Sequence, residues 1–172
     1  MEPAPVTGYG RRVELPDFHI DHAEKIEWMI ETEGFAVEPV PADLASDPPR
    51  AGYTYTVGLT AHVGFPEVVV FGLKPAQARN LLVLVRDLCR SGVEIPLDVE
   101  VIGVLDHDLR CRFAHVDVEE WAPLFTTGVA WHRGEPFELV QLVYPDPNGF
   151  LPYEAGFDQR RVYSQPVIGV VD

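Results

Sequence analysis

At 172 residues the chain has the length of one compact domain, which typically spans about 100–200 residues. Hydrophobic residues make up 47% and charged residues 23%, the balance of a soluble globular protein rather than a disordered or fibrous one. Lys and Arg number 13 against 27 Asp and Glu, so the net charge is −14. That is the wrong sign for gripping a phosphate backbone or an anionic membrane, and neither is expected as a partner.

Residues 1–16 hold three prolines and two glycines without apolar periodicity and read as a flexible N-terminal arm ahead of a single domain over 17–172. The opening MEPAPVTGYGRRVELPDF has no apolar run behind Arg11 and Arg12, so no signal peptide is expected. Nor is a membrane span, which takes ~18 uninterrupted apolar residues. Cys89 and Cys111 are the only cysteines, too few for a disulfide framework or a four-ligand zinc set, and they read as inert thiols in a reduced, cytoplasmic setting.

A helix is expected over 18–33, with Asp21 and Glu24 as a capping box and Ile26, Met29 and Ile30 on one face. Phe35 to Val40 reads as a short strand and Pro41 to Gly52 as a proline-rich loop. Tyr53-Thr54-Tyr55-Thr56-Val57 is entirely β-branched or aromatic and pairs, across a Gly-containing turn, with Pro66 to Phe71. From Pro75, the residues Ala78, Leu81, Leu82, Val85, Leu88 and Cys89 form a helical stripe that stops at Ser91-Gly92. Leu97 to Leu105 and Leu109 to Val116 read as a hairpin tipped by Asp106-His107-Asp108. Asp117 caps a helix over Val118 to Phe125, Phe137 to Val143 is a strong strand, and Val167 to Val171 is a further strand candidate. Strands come mostly in adjacent pairs with helices between the groups. The expected fold is therefore α+β, an antiparallel or mixed sheet with two to three packed helices.

Four separated blocks carry a family likeness: Tyr55-Thr56-Val57-Gly58-Leu59; Gly64-Phe65-Pro66-Glu67 with Val70-Phe71-Gly72-Leu73; Leu139 to Asp146 with Gly149 and Pro152; and Gln165-Pro166-Val167-Ile168-Gly169. In order and spacing they resemble the bacterial DUF4262 family over most of residues 20–170. The family is a domain of unknown function, so the resemblance implies no activity, cofactor or catalytic residue. Relatives often open with a Cys-x-x-Cys segment, whereas the first cysteine here is Cys89.

The residues offer several constellations. His62 and Glu67 bracket the turn between the two best strands, the arrangement of a general base and an orienting carboxylate, or of two ordinary loop residues. Tyr53 and Tyr55 share a strand face and either line a groove or pack the sheet. In Trp131-His132-Arg133, Arg133 either receives a carboxylate or phosphate or offsets neighbouring acids. Gln141, inside an apolar run, either satisfies local backbone or faces a pocket. His19 and His22, three apart with Asp17, Asp21 and Glu24 nearby, have metal-ligand spacing but are equally a solvated helix end, and no metal is assigned. Asp146-Pro147-Asn148-Gly149 reads as a tight turn and Arg160-Arg161 as solvated surface. Gly-x-Gly-x-x-Gly, Walker, Gly-x-Ser-x-Gly and His-Glu-x-x-His motifs are absent.

The reading that follows is a binding or accessory domain recognising a small molecule or a protein or peptide partner. Tyr53, Tyr55, His62, Glu67, His132, Arg133 and Gln141 would line a common hollow, with no cofactor. The alternative is a cofactor-independent enzyme using acid–base chemistry, with His62 or His132 as base and Glu67 as orienter or acid.

Overall fold

The computed structural model describes residues 21–172. The expected arm over 1–16, and His19 with it, lie outside the described residues. Elements follow in the order α1 (His22–Glu33), β1 (Ala36–Val40), β2 (Tyr53–Val57), α2 (Leu59–Val63), β3 (Glu67–Phe71), α3 (Pro75–Arg90), β4 (Glu100–Val101), β5 (Cys111–Val116), α4 (Val118–Trp121), α5 (Thr126–Trp131) and β6 (Leu139–Val143). The fold is α+β, with one six-stranded mixed sheet in the order β1-β2-β3-β6-β5-β4. The pairing of β3 with β6 is parallel and the other pairings are antiparallel.

All five residues of β2, of β3 and of β6 are buried. Helices cover both faces of these central strands, so their sequences are near-continuous apolar runs rather than alternations. One face sets Val68, Val70, Phe113, Val140 and Leu142 against Ala78, Leu82 and Val85 of α3. The other sets Tyr53, Tyr55, Val57, Val69, Phe71 and Leu139 against Ile26 of α1 and Phe125. Leu82 is fully buried, and truncating such a residue to Ala typically costs about 2–5 kcal/mol.

Several expectations are corrected. Among the described residues there are five α-helices where two to three were expected, because the 58–66 turn contains α2, the 118–125 helix is reduced to α4 and a 3₁₀ turn at Pro123, and α5 follows it. Asp21 is the N-cap of α1, yet its side chain makes no capping bond. The 97–116 hairpin shrinks to two paired positions, Glu100 with Arg112 and Val101 with Cys111, because Asp98 (φ 60°) and Gly103 (φ 97°) leave extended geometry on either side of β4. Residues 167–171 form no strand; Val170 N–H bonds to strand backbone, donating to His115 O at 2.8 Å. Both cysteines are free. Cys111 is buried, which pushes its thiol up to about 12, and burial raises that of the half-buried Cys89 too. Among the described residues no helix is long and apolar enough to cross a membrane.

Candidate functional site

Glu67 opens β3 directly after Pro66 and is 1% exposed. A buried carboxylate needs donors, and the end of β2 supplies them. Gly58, at φ 87°, takes the left-handed turn that swings the chain from β2 into α2 and aims two amides back at Glu67. Oε1 accepts from Thr56 Oγ1 at 2.8 Å and from Leu59 N–H at 2.9 Å; Oε2 accepts from Gly58 N–H at 3.2 Å. The Thr56 hydroxyl in turn accepts from Val68 N–H at 2.9 Å, tying β2 to β3 through the same cluster.

The fourth neighbour of this carboxylate is His132, whose Nε2 lies 3.4 Å from Oε2. His132 ends α5, and the positive φ of Arg133 (55°) and Gly134 (74°) reverses the chain behind it. Phe137 is thereby laid on the imidazole, centroids 4.3 Å apart and planes within 10°. Nε2 is buried and, apart from the Glu67 carboxylate, has no polar partner among the described residues. The ring borders a cavity of about 580 Å³ lined by Thr60, Ala61, Trp131, His132, Pro136, Phe137 and Glu138.

The other candidates have different surroundings. His62 stands apart from Glu67 and His132: its ring stacks on Phe35 at 6.2 Å, and its Nε2 is 3.5 Å from an Arg86 nitrogen. Burial, then the charges of Arg86 and Arg90, hold its pKa below the usual histidine value. Gly34, at φ 91°, leaves room for this ring, since a Cβ there would fall 2.6 Å from Nδ1 and Nε2. Tyr53 and Tyr55 are buried in the sheet core. The Tyr53 hydroxyl donates to Leu124 O at 2.6 Å, and that of Tyr55 accepts from Gly128 N–H at 3.3 Å. Burial pushes the Tyr53 phenol up to about 12, with Arg50 pulling the other way.

Gln141 is fully buried and its amide grips the C-terminal tail: Nε2 donates to Pro166 O at 2.7 Å, and Oε1 accepts from Ile168 and Gly169 N–H at 2.8 and 2.9 Å. Arg133 borders a third cavity, of about 400 Å³, beside His22, Glu27 and Trp131. His22 is engaged with Glu38 at 2.5 Å, and no group of three or more potential metal ligands exists among the described residues. Asp146 makes the expected turn. Burial works to raise its pKa, but the N–H groups of Asp158, Phe150 and Asn148 outweigh that and hold it below the usual carboxylate range. The common hollow expected for the seven residues does not form. Tyr53, His132 and Arg133 border three different cavities, and Tyr55, His62, Glu67 and Gln141 border none of these.

A larger concavity than those beside His132 and Arg133 lies elsewhere. A groove of about 980 Å³ opens where β1 and β3 end and β2 begins, between the 41–52 loop and residues 160–164. Val40, Pro41, Leu44, Pro49, Tyr53 and Leu73 give it apolar walls, and Arg50, Lys74 and Arg160 are its charged residues. Of these residues the sequence singled out Tyr53 for a groove, while Pro41, Leu44, Pro49 and Arg50 read as loop and Arg160 as solvated surface. The signal was available: Arg50 and Lys74 each adjoin a proline in a chain short of basic residues.

The family model of the domain of unknown function DUF4262 matches residues 29–158, most of the chain. The chain belongs to this family. The DUF4262 match takes in all six strands and the Glu67–His132 pair, while Arg160, Tyr163 and Ser164 of the groove lie beyond it. Comparison with curated proteins and with solved structures gave no match.

Proposed function

We propose that this DUF4262 domain is a binding domain that takes a small molecule in the groove at the open end of β1, β2 and β3. The observation that carries this reading is the groove itself: about 980 Å³, walled by apolar side chains on a rigid sheet end. Ligand sites of small molecules typically measure about 300–1,000 Å³ and combine apolar walls with a few polar groups. The net charge of −14 supports a partner other than nucleic acid. A metabolite library screened by thermal shift, with hits mapped by NMR, tests it. Hits perturb Val40, Leu73 and Tyr53, and Ala42→Trp, which plugs the exposed groove wall, abolishes them. A screen without hits, or hits indifferent to Ala42→Trp, refutes it.

The Glu67–His132 pair favours a second reading, acid–base chemistry in the adjoining cavity. With Nε2–H turned to the Glu67 carboxylate, Nδ1 is the atom that takes up a proton, and the carboxylate stabilises the imidazolium formed. At 3.4 Å the contact is longer than a working hydrogen bond, as catalytic pairs often are before substrate binds. Incubation with metabolite extract, followed by mass spectrometry, decides it. Depletion of a compound by the protein but not by His132→Gln supports this reading, and identical profiles refute it.

A further inference from the structure

Building on the groove as ligand site, we infer that its ligand is an anionic amphiphile: an apolar chain or ring system ended by one carboxylate or phosphate head. The walls offer Val40, Leu44, Pro49, Tyr53 and Leu73 to the apolar part. The charged residues of the lining are Arg50, Lys74 and Arg160, and among the described residues no Asp or Glu lines the groove. That is opposite to the chain as a whole, in which 27 acidic residues outnumber 13 basic ones. A surface patch drawn at random from such a chain would carry the other sign.

The three cations also differ in engagement. Arg160 is held by Asp158, its Nε and Nη2 donating at 3.1 Å each. Arg50 and Lys74 take part in none of the ion pairs among the described residues. Both are exposed, so a head group at the mouth meets them without first breaking a salt bridge. Leu44 and Tyr163 are 81% and 88% exposed, large apolar side chains at the groove that the other described residues leave uncovered. An apolar ligand tail supplies that cover. A cationic peptide would meet the three cations head on, which sets this partner apart from the one that overall charge alone would favour.

Titration of the full chain with dodecanoate, dodecyl phosphate, dodecan-1-ol and dodecyltrimethylammonium, all below their micelle concentrations, tests the inference by calorimetry and NMR. Both anions perturb Val40, Leu73 and Tyr53, the ammonium does not bind, and the alcohol binds roughly tenfold more weakly than dodecanoate, the worth of two exposed ion pairs. The double variant Arg50→Gln/Lys74→Gln, at exposed positions that leave the fold intact, brings dodecanoate down to the alcohol's affinity. Ala42→Trp weakens every probe. Should the alcohol bind as tightly as dodecanoate, or the double variant leave dodecanoate binding unchanged, the anion preference is overturned while the groove still stands as a binding site. Should no probe perturb groove residues, both fall together.

Discussion

The buried Glu67 carboxylate offers a perturbation whose size follows from its four neighbours. In Glu67→Gln the amide oxygen keeps the place of Oε1 and its two short contacts, to Thr56 Oγ1 and Leu59 N–H. The new NH₂ group then stands where Oε2 accepted from Gly58 N–H at 3.2 Å, setting a donor against a donor. One hydrogen bond to a charged acceptor is lost, worth about 1.5–3 kcal/mol, and the remaining two become ordinary ones. Glu67→Leu goes further. It strands three donors, two of them backbone amides, in an interior where each unsatisfied group costs about 1–3 kcal/mol. We therefore expect about 2–3 kcal/mol of destabilisation for Glu67→Gln and about 3–6 kcal/mol for Glu67→Leu, set against the ~5–15 kcal/mol total of a typical domain. For a chain of this size the former lowers Tm by about 4–12 °C. Urea unfolding followed by far-UV circular dichroism, with Tm as a second measure, reads both. If Glu67→Gln matches the wild type and Glu67→Leu costs under about 1 kcal/mol, the carboxylate does not staple the β2–α2 turn and the reasoning fails.

Three further outcomes are expected. Gln141→Leu removes the three bonds to the tail and costs about 2–4 kcal/mol, with amide exchange at Ile168 and Gly169 rising to that of free peptide; unchanged exchange at those two sites would show that something else holds the tail. Gly34→Ala drives a methyl into the His62 ring at a left-handed position and destabilises by about 1–3 kcal/mol, most of which His62→Ala restores in the double variant; simple additivity of the two changes would count against the contact. The pH dependence has a definite sign. His62 is held below its ordinary value, so the unfolded chain binds the proton more readily, and stability present above the unfolded value near 6.5 declines as pH falls through the folded one. Asp146, likewise lowered, adds a second decline in the carboxylate range. Denaturation midpoints between pH 8 and 3 in wild type, His62→Gln and Asp146→Asn check both, because each variant flattens its own limb; a variant profile parallel to wild type rejects that assignment.

Most of the sheet was legible because its signals are local. Tyr53 to Val57 and Leu139 to Val143 are so dense in β-branched and aromatic residues that they form strands wherever they pair, and the Ala78, Leu82, Val85 stripe buries as its spacing requires. What escaped was decided at long range. Residues 97–105 have strand-like composition, yet the chain turns left-handed at Asp98 and Gly103, so only two of them join the ladder. The Val167 to Val171 run lies beside Ala114 and Val143, where Gln141 captures its backbone before any strand can form. The site shows the same division. Glu67 was legible with either His62 or His132 as its partner, and the fold brings it His132, 65 positions away, rather than the nearby His62. The groove depends on Arg50, Lys74 and Arg160 meeting at one sheet end, and no sequence window contains all three.

The parallel seam between β3 and β6 has a consequence for how the chain comes into being. During synthesis, everything up to residue 138 emerges before the strand that joins Glu67–Val69 to Arg112–Val116 exists. Until β6 arrives the nascent protein carries two separate half-sheets, each with a bare hydrogen-bonding edge of the kind that recruits neighbours into aggregates. Leu139–Val143 is thus the keystone of assembly, and chains cut short before it are the form from which a cell has most to fear.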